Sequence, residues 1–487
     1  MSGGKKSRSA SRRRSGRRQV SVAEPLEPGQ QAQAPGLSLR SYQVGALPLV
    51  NRILERMRLE EFFREYLPPD DPRCRFPTAQ ALLVLVRNVL LSREPVYAVG
   101  AWAAQFAPDL FNLWDEQVAL LHDDRLGRCL TRLFVGTSPE LILAVVRHVI
   151  AEFQVSLDEL HNDSTTVTFY GAYDEAAEEG LRLGRATHAI TWGHNKDHRP
   201  DLKQLLYTLT VSHDGSVPVY FTSHSGNVVD DTTHIATWDL LCQLVGGPDF
   251  LYVADCKLAS AENLGHIARH GGRFVTVMPR SHGEDEQFRA KVRQSSEGVR
   301  WKPLYDVSDE EGNVTDRLFV CAEEGLSSEG YRLLWYRSTR KAELDLASRA
   351  RRVQRALAAL TELRQRLSSP RTRFRERGKV QRAVEEVLSQ CEVEPWICVT
   401  IEEREDATYR QAQPGRPSKH TQYRKETRPR YHLTWELDAV AFANAEREDG
   451  IFPLLTNDRQ LTAEEVLRAY KRQPIIEKRF SQLKTDF

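Results

Sequence analysis

The sequence predicts an α/β protein: a mixed sheet flanked by helices, interrupted by an α+β insertion and preceded by an all-α region. Three observations lead there. Residues 158–169, 202–211 and 217–222 are apolar or β-branched runs, and His213-Asp214-Gly215-Ser216 between the last two is a hairpin signal. Helical stretches at 232–245 and 260–270 then alternate with strands at 250–254 and 273–278. Residues 282–450 break that rhythm.

The elements follow in order. Residues 1–36 are Ser/Arg/Gly-rich and then Pro/Gln/Ala-rich, too polar to offset their ordering entropy, and read as a disordered basic tail: a solvated segment or a loose phosphate-binding arm. Residues 37–150 read as a helical N-terminal domain, with an apolar helix at 79–91 and another at 138–153, where Ser138 is the N-cap and Pro139 the first helical residue. Residues 151–281 carry three strands followed by α/β crossovers, the order of an RNase H-like mixed sheet. Residues 282–450 form the insertion: strands at 299–307, 317–321 and 331–337, a basic helical stretch at 342–390, a strand at 396–402 and a Pro/Gly/Arg-rich loop at 410–430. Trp396 and Trp435 flank that loop and read as core residues. Residues 451–487 return to a strand and a helix that complete the α/β core.

Composition removes several classes. The chain has 487 residues, 68 Lys+Arg and 67 Asp+Glu, but residues 1–20 hold eight of the basic side chains and no acid, leaving a formal −7 beyond them. Net charge therefore points to no partner, and local patches must be read instead. No apolar run is long enough to span a bilayer, and no apolar segment follows the basic N-terminus, so a cytoplasmic protein is expected. Seven scattered cysteines without a CxxC pair argue for reduced thiols rather than a zinc ribbon or disulfide framework. Neither GxGxxG, GxxxxGK[ST] nor HExxH occurs.

The candidate chemistry lies in carboxylates. Asp163 belongs to the first strand of the α/β core and Asp255 ends the fourth, both beside apolar or β-branched residues where an unpaired charge is costly. Neighbouring strands would bring the two together, and a hard divalent cation would relieve their repulsion. A third carboxylate is expected from a helix on the same sheet edge. Glu477 is the candidate: Thr462 and Glu465 form a capping box, Pro474 kinks the helix or opens a new one, and Glu477, Phe480 and Lys484 then share a face.

These residues resemble the DDE transposases of bacterial insertion sequences, in the IS-four superfamily. The family's Y-x2-R-x3-E-x6-K signature is matched by Tyr470, Glu477 and Lys484 at the same spacing, with Gln473 where the family has Arg and Lys471 or Arg472 as possible substitutes. Residues 193–204 and the stretch from Gly226-Asn227 to Asp230-Asp231-Thr232 are also similar. The resemblance runs from about residue 40 to the end and thins through 340–440. It implies a metal-dependent cleavage and strand transfer at insertion-sequence ends, with two Mg²⁺ or Mn²⁺ ions held by Asp163, Asp255 and Glu477. It also implies a double-stranded DNA partner, a homodimer in the synaptic complex, and a bacterial, nucleoid-associated location. Tyr470, Gln473 and Lys484 would contact DNA. The family continues past the signature lysine, whereas this chain stops at Phe487, so a truncated copy is expected. A metal-dependent nuclease, or an inactive DNA-binding relic, is the alternative. Lys196, His198, Arg199 and Lys203 in the polar 193–204 segment, and Arg416, Lys419 and Arg424 in the basic loop, are further candidate DNA contacts.

Overall fold

The computed structural model describes residues 40–294, 298–369 and 371–484; the basic tail expected at 1–36 lies outside the described residues. Seven helices come first: α1 (Leu47–Arg56), α2 (Leu59–Tyr66), α3 (Thr78–Leu91), α4 (Val99–Ala103), α5 (Asp115–Val118), α6 (Asp123–Gly136) and α7 (Pro139–Phe153). The apolar run of α3 makes it the central helix, with Ala81, Leu82 and Val84 buried. Around it Trp102, Phe106 and Phe111 pack edge to face at 5.4–6.0 Å. Ser138 caps α7 by accepting from the Leu141 N–H, and Gln154 ends it in the left-handed region. The sequence grouped α7 with the helical domain. That helix also reaches the sheet: Leu143, Val146 and Ile150 pack beneath it, while His148 lies 5.8 Å from the Phe62 ring and Glu152 pairs with Arg56 at 2.8 Å on the helical side. Among the described residues no single helix is long and apolar enough to cross a membrane.

The sheet follows in the expected order. β1 (Glu159–Phe169), a short hairpin of β2 (Gly180–Arg182) and β3 (Arg185–Thr187) that the sequence did not announce, β4 (Lys203–Ser212) and β5 (Pro218–Ser225) precede α8 (His234–Val245), β6 (Leu251–Ala254), α9 (Ala261–Arg269) and β7 (Arg273–Val277). Gly215 and Ser216 take positive φ in the turn between β4 and β5, one residue later than a two-residue Asp-Gly turn would place them. β1 pairs antiparallel with β4 and parallel with β6, which in turn pairs parallel with β7. Gly193 and Gly226 approach backbone to backbone here: a Cβ on Gly193 would lie 1.9 Å from the Gly226 carbonyl oxygen.

The remaining elements are α10 (Gly283–Gln294), β8 (Trp301–Ser308), β9 (Val314–Cys321), β10 (Gly325–Leu326), β11 (Arg332–Ser338), α11 (Thr339–Ser368), α12 (Arg377–Cys391), β12 (Ile397–Gln411), β13 (Tyr423–Leu437), α13 (Ala439–Arg447), β14 (Ile451–Thr456), α14 (Ala463–Lys471) and α15 (Ile475–Leu483). The sequence set 282–450 apart as one insertion, and the structure divides it. β8, β9 and β11 join the same ten-stranded sheet, whose order is β5-β4-β1-β6-β7-β14-β11-β9-β8 with β10 paired to β11 off this path, because β14 offers β11 an edge to pair with. Only α11, α12, β12 and β13 form a separate layer with its own apolar cluster, which Trp396 and Trp435 flank half-buried. Of the expected loop at 410–430, residues 412–422 do connect two strands, and the flanking residues belong to a two-stranded ribbon pairing Ile397 with Leu437 and Gln411 with Tyr423. Pro429 is tolerated there because each strand of a two-stranded ribbon has a free edge.

That layer is fastened to the sheet by buried Arg349 of α11, which donates to Asp449 through Nη1 at 2.9 Å. Arg349→Ala leaves Asp449 buried without its partner and is expected to lower unfolding free energy by about 3–5 kcal/mol. Urea denaturation checks this, and a change under 1 kcal/mol would refute the anchoring role.

Candidate active site

Asn162 of β1 stands opposite Ala254 of β6 in parallel register, so the next residues come side by side: Asp163, still inside β1, and Asp255, just past the end of β6. Asp163 Oδ1 accepts from the Ser164 N–H at 2.7 Å. Asp255 caps the turn after β6, accepting from the Lys257 N–H at 2.9 Å, and its carbonyl accepts from Thr276 Oγ1 at 2.6 Å. Glu477 arrives from the far end of the chain. The capping box of Thr462 and Glu465 starts α14, the helix breaks over Arg472–Pro474, and α15 carries Glu477 in its first turn. Asp163, Asp255 and Glu477 line one cleft of about 530 Å³ with Tyr470, Lys341 and Lys471.

The cleft is electrostatically loaded. Burial, reinforced by the charges of Asp255 and Asp230 and opposed by Lys196, pushes the Asp163 carboxyl up to about 6. Burial and the nearby carboxylates push the Tyr470 hydroxyl up to about 12. Oxygen donors around a carboxyl that resists ionising suit a hard divalent cation, which would relieve the repulsion. Yet no group of three His, Cys, Asp or Glu side chains among the described residues stands close enough to hold one ion. Asp163 and Asp255 lie on adjacent strands, and Glu477 lines the same cleft.

Several expected DNA contacts are otherwise engaged. Lys196 Nζ lies 2.7 Å from Asp230, 2.6 Å from Ser164 Oγ, 2.8 Å from the Ser164 carbonyl and 3.8 Å from Asp163, so it is an internal counter-ion. Lys203 is buried, donates to the Ala172 carbonyl and sits 5.0 Å from the Trp192 ring, out of reach of a phosphate. Gln473 is also buried. Its amide donates to the Asn162 carbonyl at 2.8 Å and its oxygen bonds His161 Nδ1 at 3.0 Å, which makes it a clamp between β1 and the α14–α15 break. Lys484 pairs with Asp197 at 2.8 Å, tying α15 to the polar loop. His198 and Arg199 are exposed on that loop, and Arg199 pairs with Asp201 at 2.7 Å. Arg416, Lys419 and Arg424 are exposed at the end of the ribbon and do not line the cleft.

The sequence reading missed two sets of residues. Asp230, which holds Lys196 and accepts from Ser164 Oγ at 2.8 Å, was signalled by the Gly226–Thr232 stretch but not assigned a place. Lys341, at the start of α11, gave no signal, because only the fold brings it to the wall of the cleft.

Comparison with known proteins adds a family match over the first helices and a loose structural likeness. Residues 39–146 match the model of a domain of unknown function, DUF4277, which covers the first helices and none of the carboxylates. No curated protein matches the chain. A cryo-EM structure of the piggyBac transposase synaptic complex with hairpin DNA is similar at 10% identity and a TM-score of 0.27. That match covers 60% of this chain and 59% of the other, a likeness too loose to carry an inference.

Proposed function

We propose that the chain is a DNA transposase of the DDE type, acting through Asp163, Asp255 and Glu477 on an RNase H-like core. One observation carries the reading: two carboxylates stand side by side on adjacent parallel strands, one inside its strand and one at the end of its own, and a third, more than 200 residues later, lines the same cleft. The order β5-β4-β1-β6-β7, antiparallel then parallel, supports the RNase H-like assignment. Double-stranded DNA is the substrate, and pairing of two element ends requires a homodimer.

Asp163 and Asp255 would hold Mg²⁺ or Mn²⁺, with Glu477 completing the site as the cleft closes on DNA. Such ions supply a nucleophile at neutral pH and stabilise the departing oxygen of an in-line displacement. Tyr470 keeps its hydroxyl proton and can donate to a phosphate oxygen. Lys471 places positive charge on the cleft wall for the DNA backbone, beside Lys341, which Asp345 holds at 2.8 Å. Lys196 holds Asp230 and Ser164 in place beside Asp163.

The test uses labelled duplexes made from the DNA flanking the gene. Mg²⁺-dependent nicks leaving a 3′-OH, followed by joined products, are expected. Asp255→Asn and Glu477→Gln should each cut the rate by about a thousandfold, the equivalent of several kcal/mol of lost transition-state stabilisation. Nicks without joining would leave a nuclease. Cleavage undiminished in both variants would end the proposal.

A further inference from the structure

α11 begins at the cleft, which Lys341 lines, and runs 30 residues away from it, about 45 Å at 1.5 Å per residue. Its outward-facing Arg351 and Arg355 are one turn apart and exposed. Beyond its end, residues 371–382 hold six basic side chains and one acid, Glu376, which pairs with Lys379 at 2.8 Å. Arg371, Arg373, Arg375 and Arg377 are all exposed. Among the described residues neither they nor Arg351 and Arg355 form an ion pair, whereas Arg404, Arg410, Arg428 and Arg430 on the neighbouring ribbon each pair with a carboxylate.

The segment is built rather than loose. Phe374 packs against the apolar cluster beneath it, alternating with Arg373 and Arg375, and lies 5.5 Å from the Arg366 guanidinium. Arg430 of the ribbon donates to the Ser368 and Ser369 carbonyls at 3.1 and 2.9 Å and pins the chain where the segment starts. Held in this way, several unneutralised guanidinium groups repel one another, a cost that a polyanion would remove by releasing its own counter-ions.

We propose that Arg371, Arg373 and Arg375 form a phosphate-binding comb for duplex DNA, reached along Arg351 and Arg355 from the cleft. This deepens, and rests on, the reading of the cleft as a DNA-cleaving site. A duplex seated there and lying along α11 meets the comb after about 13 base pairs, at 3.4 Å per base pair. The contacts are to the backbone, so they contribute affinity without sequence preference.

The experiment is a salt titration of the full chain, in EDTA, with a fluorescent random-sequence duplex of about 30 base pairs. The triple variant R371A/R373A/R375A should bind at least about tenfold more weakly near 0.1 M salt, with a slope of log K against log salt shallower by roughly 3. R371K/R373K/R375K should keep the wild-type slope. A control that removes three charges from the helical domain, R52A/R73A/R128A, should lose little. An unchanged slope in the alanine variant, an equal loss in the control, or stronger competition by single-stranded RNA than by duplex DNA would each overturn the comb. Metal-dependent nicking with an unchanged slope sinks the comb and leaves the proposed function standing. Comb-dependent binding without any nicking does the reverse.

Discussion

Replacing Asp163 by Asn is expected to abolish metal-dependent cleavage and, at the same time, to stabilise the metal-free protein above pH 6. The two effects share one cause. Burial, with Asp255 and Asp230 close by, raises the Asp163 carboxyl from its ordinary 3.8 to about 6. As pH rises from about 4 to 6, the unfolded chain has already released this proton while the folded chain keeps it. Stability therefore falls across that window, and the deficit, roughly 2–3 kcal/mol, persists at higher pH. Asn carries no charge and escapes it. A divalent cation opposes the same deficit in the wild type, so Mg²⁺ should raise the melting temperature at pH 8 and do little at pH 5, where protons compete for the carboxylate. The Asn variant should show little response at either pH. Thermal unfolding of both proteins at the two pH values, with Mg²⁺ or EDTA, reads all of this. An Asn variant less stable than wild type at pH 8 in EDTA would contradict the argument.

The α/β core was legible because its signals are local. Asp-Gly fixed the β4–β5 hairpin, β-branched runs marked the strands, and Thr462 with Glu465 announced the start of α14. The pairing of Asp163 with Asp255 needed only strand order. Long-range pairing was not legible. Nothing near Arg332–Ser338 states that β11 will pair with β14, more than 110 residues later, so a continuous sheet read as a separate insertion. The basic ribbon read as a loop because Pro and Gly outweighed an alternation that only its partner strand makes plain. Lysines were the least legible residues. The ammonium groups of Lys196 and Lys203 looked like phosphate contacts in sequence, yet each reaches oxygen atoms of its own fold first. Conversely, the row of Arg371, Arg373 and Arg375 becomes visible only once the structure exposes them around Phe374, which packs on the cluster beneath.

The second large effect is expected at Arg472, which lies outside the lining of the cleft. Its guanidinium donates to Glu159 through Nε at 2.6 Å and through Nη2. Glu159 also bonds His161 Nε2 at 2.8 Å, and His161 Nδ1 reaches Gln473. Burial would raise the Glu159 carboxyl, but the hydrogen bonds from His161 and Arg472 outweigh it and hold the group at about 2. The sign is therefore opposite to that of Asp163. The stabilisation, roughly 3 kcal/mol, is complete above about 4.5 and is lost as pH falls toward 2. Glu159→Gln should remove that acid-dependent part of the stability curve. Arg472→Met, which leaves the carboxylate buried with one partner fewer, should cost about 2–3 kcal/mol at pH 7, less than a fully buried pair because the guanidinium is 40% exposed. It should also slow cleavage, because Arg472 and Gln473 bind the break before α15 to the strand bearing Asp163, and Glu477 lies five residues on. The decisive comparison is urea unfolding with nicking rates for Arg472→Met. An unchanged unfolding midpoint would remove the clamp from the fold. A lower midpoint with an unchanged rate under native conditions would show that Glu477 finds its place without it.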